Sequence, residues 1–108
     1  MCHFKSWYCD EYGYVIECEQ CRHFQVCFGT TMLTLSETDY QALIEVVQKK
    51  KEDYVPMQDP NVRCVVLPTP CNMVHAVLSG KELDQLHTML QEVDIEMRAA
   101  QLLDLFKV

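Results

Sequence analysis

Residues 35–47 read LSETDYQALIEVV and residues 78–90 read LSGKELDQLHTML, and these two stretches decide the fold. In each of them a serine, Ser36 or Ser79, is followed three positions later by a carboxylate. This spacing is typical of a capping box, in which the hydroxyl and the carboxylate satisfy free amides of a helix's first turn. The sequence therefore predicts a helix after each serine.

Apolar residues recur along one side of both predicted helices. They follow the i, i+3, i+4 and i+7 pattern from Tyr40 to Val47. The same offsets recur from Leu83 to Leu90, except that His87 takes the i+4 position. This period predicts amphipathic helices that bury one face. The first helix is expected to end near Glu52, because breaker and turn residues follow it.

Strand patterns precede each helix. Residues 23–28 alternate apolar and polar side chains, as a half-buried strand does. Further strands are predicted at Tyr14–Ile16, Thr31–Leu35, Val62–Leu67 and Met73–Leu78. The predicted fold class is α+β, with an antiparallel sheet packed by helices in two successive strand-strand-helix halves.

The chain length predicts one domain over residues 1–108. Within it we expect a strand-rich half with the first helix over 1–54 and a linker over 55–61. A hairpin and a long helix are expected over 62–108.

The C-terminal helix is predicted to be unusually long. From Leu83 its apolar positions are spaced alternately three and four apart, which is typical of a coiled-coil seam. They are Leu86, Leu90, Val93, Met97 and Ala100. Two interpretations remain open, a helix lying across its own sheet or the seam of a homodimer, with the sheet favoured up to Leu90 and a partner beyond Asp94.

Charge and composition exclude several functions. The formal net charge is −7, which disfavours binding to nucleic acid. The N-terminus lacks the apolar region of an export signal, and no apolar run approaches the length of a membrane span. We therefore expect a cytoplasmic protein whose seven cysteines stay thiols or bind metal.

Two longer stretches carry a family resemblance. They are YVIECEQCRHFQVCFGTTMLTLSE and LPTPCNMVHAVLSGKELDQLHTML, whose marks are the cysteine-spaced turn, the Phe-Gly pair, the Pro-Thr-Pro turn and the second serine cap. The chain resembles a small family of Bacteroidetes proteins that is known as a domain of unknown function. The resemblance runs from about Tyr12 to Phe106 and implies a bacterial origin and location, but no mechanism.

Cys18-Glu19-Gln20-Cys21 is the motif whose spacing suggests chemistry. Two thiolates separated by two residues can bind one tetrahedral Zn²⁺. The remaining ligands are expected from the N-terminal segment, Cys9 first and then His3 or Cys2. The alternative is that these cysteines are packing residues without a cofactor.

Three functions follow from these patterns. The favoured one is a non-enzymatic interaction module with a protein partner or small ligand, and with homodimerisation expected. The second is a small structural zinc domain centred on Cys18 and Cys21, and the third is a thiol-dependent enzyme for a small substrate. No catalytic residue is assigned. The aromatic run from Phe4 to Tyr14 is interpreted as a cap on a small core, with a ligand platform as the alternative.

Overall fold

The structure is a computed structural model that describes residues 3–55, 59–71 and 73–106. Its strands are β1 Phe4–Cys9, β2 Gly13–Cys18, β3 Phe24–Phe28, β4 Thr31–Leu35, β5 Arg63–Pro68 and β6 His75–Ser79. Its helices are α1 Glu37–Asp53 and α2 Gly80–Leu105. The α+β class, the antiparallel sheet and the long C-terminal helix are thus confirmed. Part of the predicted linker, residues 56–58, lies outside the described residues.

Strands β1 to β4 form an antiparallel sheet in chain order, and β5 pairs with β6 in a second antiparallel sheet. Val15 lies opposite Val26, which lies opposite Leu33. All three side chains are buried, because side chains of directly opposed residues share one face of a sheet. This face of the four-stranded sheet is the core side.

Strand β1 is an element that the sequence patterns did not predict. Its residues, FKSWYC, do not alternate in burial, and a bulge shifts the register between Ser6 and Tyr8. A bulge breaks the period of two on which strand prediction depends. The N-terminal part of the aromatic run therefore forms the edge strand of the sheet.

Both predicted serine caps are confirmed. The Ser36 Oγ accepts a hydrogen bond from the Asp39 amide at 3.2 Å. The Ser79 Oγ accepts from the Glu82 amide at 3.1 Å, while the Glu82 carboxylate accepts from the Ser79 amide at 2.9 Å. Arg63 on β5 also binds this carboxylate, and its hydrogen bond lowers the pKa of Glu82. The start of α2 is thereby tied to the second sheet.

One hydrophobic core joins both sheets and both helices. The helix residues within it are Tyr40, Leu43 and Val47 of α1 and Leu83, Leu86, Met89, Leu90 and Val93 of α2. From the sheets it takes Val15, Phe24, Val26, Phe28, Leu33, Leu35, Val65, Leu67, Ala76 and Leu78. The helices also contact each other directly, with His87 Nε2 of α2 lying 2.7 Å from the Gln48 Oε1 of α1.

Tyr40 carries a buried polar atom without a partner among the described residues. Its ring stacks on Phe24 at 4.6 Å between centroids, and its hydroxyl forms no hydrogen bond there. A buried hydroxyl without a partner destabilises the folded state by about 1–3 kcal/mol. We therefore expect Tyr40→Phe to raise the free energy of unfolding by about 1 kcal/mol in urea denaturation. Tyr40→Ala, which also removes the ring, should lower it by about 3 kcal/mol or more.

Tyr40→Phe should also change the way in which the free energy of unfolding responds to alkaline pH. Burial, and secondarily the charge of Asp94, raises the pKa of Tyr40 above its ordinary value. The folded state therefore disfavours the ionised phenolate. Ionisation of Tyr40 does not affect the free energy of unfolding below a pH of about 10, and lowers it as the pH rises above that value. With increasing alkaline pH, the free energy of unfolding should therefore fall less steeply in Tyr40→Phe than in the wild type. Equal slopes would show that Tyr40 is not buried in this way.

Candidate functional site

Helix α2 carries apolar side chains on two opposite sides. Its buried side includes Leu83, Leu86, Leu90 and Val93, and Met97 packs beside the same core. Beyond Asp94 a second set of apolar residues faces away from the core. We call it the distal surface of α2, and it consists of Ile95, Ala99, Leu102, Leu103, Leu105 and Phe106. Its large members are 57–82% exposed.

The predicted seam of α2 is thus used within the chain itself. Leu86, Leu90 and Val93 are at most 2% exposed and belong to the same core as the sheets. The interpretation of these residues as part of a helix lying on its own sheet is therefore correct. The distal surface has a separate heptad-like spacing, with Ile95, Ala99, Leu102 and Phe106 at intervals of four, three and four residues.

The turn between β2 and β3 holds the Cys18 and Cys21 pair. The Cys21 amide donates a hydrogen bond to the Cys18 Sγ at 3.3 Å, and the Arg22 amide donates to the Cys18 carbonyl at 2.8 Å. Arg22 takes a positive φ of 61°. A left-handed residue at the end of the turn lets the chain reverse without the Asn-Gly pair that a two-residue hairpin favours.

The other predicted ligands lie at different distances from this turn. The His3 carbonyl accepts a hydrogen bond from the Glu19 amide at 3.0 Å, so His3 lies beside the turn. Cys9 pairs with Tyr14, whereas Cys18 pairs with Phe4 at the other end of the same two strands. Four residues of strand, about 13 Å, therefore separate the positions of Cys9 and Cys18 along the sheet.

The expectation that Cys9 faces the cysteine pair is corrected by this register. The position of the β1–β2 turn places Cys9 at the far end of the hairpin. Within the described ranges, no three His, Cys, Asp or Glu side chains group closely enough to hold a metal ion. Cys2, the other predicted ligand, lies outside the described residues. Zinc binding therefore stays a prediction that rests on the Cys18 and Cys21 pair.

Cys9 instead belongs to a row on the outer face of the sheet. The register places Cys9, Tyr14, Cys27 and Met32 side by side across the four strands. The Tyr14 hydroxyl donates to the Met32 Sδ at 3.6 Å. Desolvation raises the pKa of Tyr14, and its contacts with Cys27 and Cys9 add to this effect. Cys27 is therefore remote from Cys21, as its position on the strand predicts.

The remaining cysteines and histidines do not converge on a described cleft. A cleft between α1 and β5 includes Cys64 together with Lys50 and Tyr54, but no histidine of the described chain. His23 and His75 are exposed, and His87 bonds to Gln48. Cys64 therefore has no described histidine in this cleft to act as the base that a nucleophilic thiol requires.

A second cleft is lined by residues that the sequence patterns did not bring together. It lies where β1, β2 and β3 meet the C-terminal part of α2, has a volume of about 230 Å³ and contains Trp7. The Trp7 Nε1 donates to the Glu17 carboxylate at 3.0 Å, and the Lys5 ammonium lies 4.1 Å from the centre of the Trp7 ring. The aromatic run predicted a ligand platform only as an alternative, because such a run more often caps a small core.

These features define an α+β protein made of a four-stranded antiparallel meander, a β-hairpin and two helices, with an apolar surface on its longer helix. The chain belongs to a family of unknown function, DUF6686, whose family model matches residues 1–107. No curated protein and no solved structure matches the chain. Neither α1 nor α2, as far as the structure describes the chain, is long and apolar enough to cross a membrane.

Proposed function

We propose that this protein is a small non-enzymatic interaction module that pairs with a second copy through the distal surface of α2. The observation that carries the proposal is the exposure of Ile95, Leu102 and Phe106 on the side of α2 opposite its buried face. Each of these side chains is more than half exposed. Contiguous exposed apolar side chains mark interaction sites rather than ordinary surface.

The spacing within this surface favours a helix as the partner. Apolar residues at alternating intervals of four and three residues meet a second helix in a coiled coil, where each side chain enters a gap between side chains of the other helix. Residues 95–106 cover about 16 Å of helix. The contact is therefore short, and we expect a dimer that dissociates on dilution.

The sizes of the side chains favour a second copy in antiparallel orientation. If two such helices cross with Ala99 opposite Leu102 of the second copy, then Ile95 lies opposite Phe106. Each of these two contacts then combines a smaller side chain with a larger one. A two-fold axis between the helices generates each contact twice. The residues of the distal surface carry no charge. The surface can therefore join two chains that each have a net charge of −7.

The test is the mass of the protein in solution. We expect the wild type to sediment as a dimer at concentrations of about 100 μM, and Leu102→Glu to sediment as a monomer, because two glutamates would enter the apolar contact. The matched control is Thr88→Glu, an exposed position of the same helix outside the distal surface. A wild type that stays monomeric, or a Leu102→Glu variant that stays dimeric, would contradict the proposal.

A structural zinc site at the turn between β2 and β3 is the second candidate. The bond from the Cys21 amide to the Cys18 Sγ supports it, because it holds the two cysteines of the motif on one tight turn, from which both could bind the same ion. Elemental analysis should then find zinc in the wild type and in Cys64→Ser, and less zinc in Cys21→Ser. Equal zinc content in the two variants, or none in the wild type, would contradict this candidate.

We also propose a bacterial and cytoplasmic setting. The bacterial origin rests on the family resemblance, and the cytoplasmic location rests on the cysteines. Cys9, Cys27, Cys64 and Cys71 form no disulfide in the described part of the chain, which is the state that a reducing compartment maintains. A thiol count on freshly purified, unfolded protein tests the cytoplasmic location. Reactivity of all seven cysteines supports it, and a stable disulfide would contradict it.

A further inference from the structure

We propose that the cleft around Trp7 binds an organic cation, an ammonium or guanidinium group that lies on the Trp7 ring. This inference is independent of the pairing of α2, because the cleft lies on the opposite side of that helix from the distal surface. The cleft is lined from α2 by Met97, Ala100, Gln101 and Asp104.

The aromatic ring of Trp7 lines the cleft, and a hydrogen bond fixes its orientation. The indole N–H of Trp7 donates to the Glu17 carboxylate at 3.0 Å, and the Glu17 side chain is only 12% exposed. Phe24 and Met97 line the cleft beside the ring. A cation over the face of a tryptophan is attracted by the ring's electrons, and the attraction grows as water is excluded.

The charges around the ring favour a positive ligand. The cleft has two basic residues, Lys5 and Arg22, and four acidic residues, Glu17, Glu19, Glu37 and Asp104. Asp104 interacts with another residue of the chain and is left out of the balance. The other three acidic residues exceed the two basic ones by one negative charge. Arg22 partly neutralises Glu17, since its Nε lies 3.6 Å from the carboxylate. A bound cation would neutralise the remaining negative charge of the cleft.

Lys5 shows that the ring accepts a cation. Its Nζ lies 4.1 Å from the ring centre, within the distance at which ammonium groups and aromatic rings attract each other. Lys5 is an exposed residue of the edge strand, so its ammonium can return to water at little cost. A ligand cation would therefore replace this internal ammonium on the ring.

Trp7 is the only tryptophan of the chain, so its fluorescence reports on this cleft alone. We would titrate the protein with N-acetylarginine amide and, in parallel, with N-acetylcitrulline amide, which has a nearly identical shape and no charge. The arginine compound should change the Trp7 emission in a saturable way, and the citrulline compound should not. An arginine-containing peptide, titrated in the same way, distinguishes a small-molecule ligand from a protein segment: binding more than tenfold tighter than the amide indicates a segment, and equal binding indicates a small molecule.

Three variants separate cation binding from a general disturbance. Lys5→Met keeps the alkyl chain but removes the competing ammonium, and should tighten binding about three- to tenfold. Glu17→Gln keeps an acceptor for the Trp7 N–H but removes a charge, and should weaken binding by a similar factor. Lys81→Met, at the other end of α2, should bind like the wild type.

The outcomes decide the proposal. Equal responses to the arginine and citrulline compounds, or no saturable response to any of the cations, would overturn it. Weaker binding by Lys5→Met would also overturn it, because it would show that Lys5 supports the cleft rather than occupying a ligand's place. Leu102→Glu should give the wild-type titration, so failure of the α2 pairing would leave this result unaffected.

Discussion

Leu90→Glu is expected to unfold most of the protein. Leu90 is 2% exposed and lies in the core between α2 and the sheets. The substitution removes a buried side chain, worth about 3–5 kcal/mol, and places a carboxyl group in the hydrophobic core. Since a domain of this size is stable by only about 5–15 kcal/mol, the variant should lose most of its far-ultraviolet circular dichroism or its cooperative urea transition.

Leu102→Glu on the same helix is the matched control for this prediction. Leu102 is 57% exposed on the opposite side of α2, so its substitution should change the free energy of unfolding by about 0.5 kcal/mol or less per chain. Urea denaturation of the two variants at low protein concentration therefore compares the contributions of the two apolar sides of α2 to the free energy of unfolding. A folded Leu90→Glu with wild-type stability would mean that the buried side of α2 has been assigned wrongly.

Gly13→Ala is expected to destabilise the fold by about 3 kcal/mol, the upper end of the usual effect of overpacking. A Cβ atom at Gly13 would lie 2.0 Å from the carbonyl oxygen of Cys27. This neighbour is backbone of the central strand β3, so it cannot turn aside as a flexible side chain would. Relief would require β2 to move away from β3 near the pair of Gly13 and Phe28.

Gly29→Asn provides the control for the glycine prediction. Gly29 has a φ of 56°, which asparagine tolerates better than most residues, and an added Cβ would meet only the Glu82 carboxylate, at 3.9 Å. Its effect on thermal and urea unfolding should be about 1 kcal/mol or less. If the two variants were equally stable, the close approach of β2 and β3 at Gly13 would be contradicted.

Much of the fold follows from local patterns. The serine caps depend on residues three positions apart, and strand alternation depends on neighbours, so both are visible in the sequence. The prediction of helix α1 ended at Glu52, one residue before its end at Asp53. The edge strand β1 escaped prediction because its bulge interrupts the alternation.

The candidate sites were less predictable because each joins distant parts of the chain. The Trp7 cleft requires β1, β2, β3 and α2 to meet, and no local pattern indicates that Glu17 bonds to the Trp7 indole. The position of Cys9 depended on the register of β1 against β2. This register follows from the turn at Asp10, whose carboxylate binds the amides of Tyr12 and Gly13.

The sequence by itself determined the class of fold and the starts of both helices. It also left α2 with more apolar positions than one face can bury. Only the tertiary structure decided which of them enter the core, because a helix can present just one side to its own sheets. Leu86, Leu90 and Val93 pack there, and the stripe from Ile95 to Phe106 remains on the surface. When a helix is apolar on two opposite sides, the spacing of its apolar residues does not indicate which side is buried. Only its packing in the fold shows which side stays exposed.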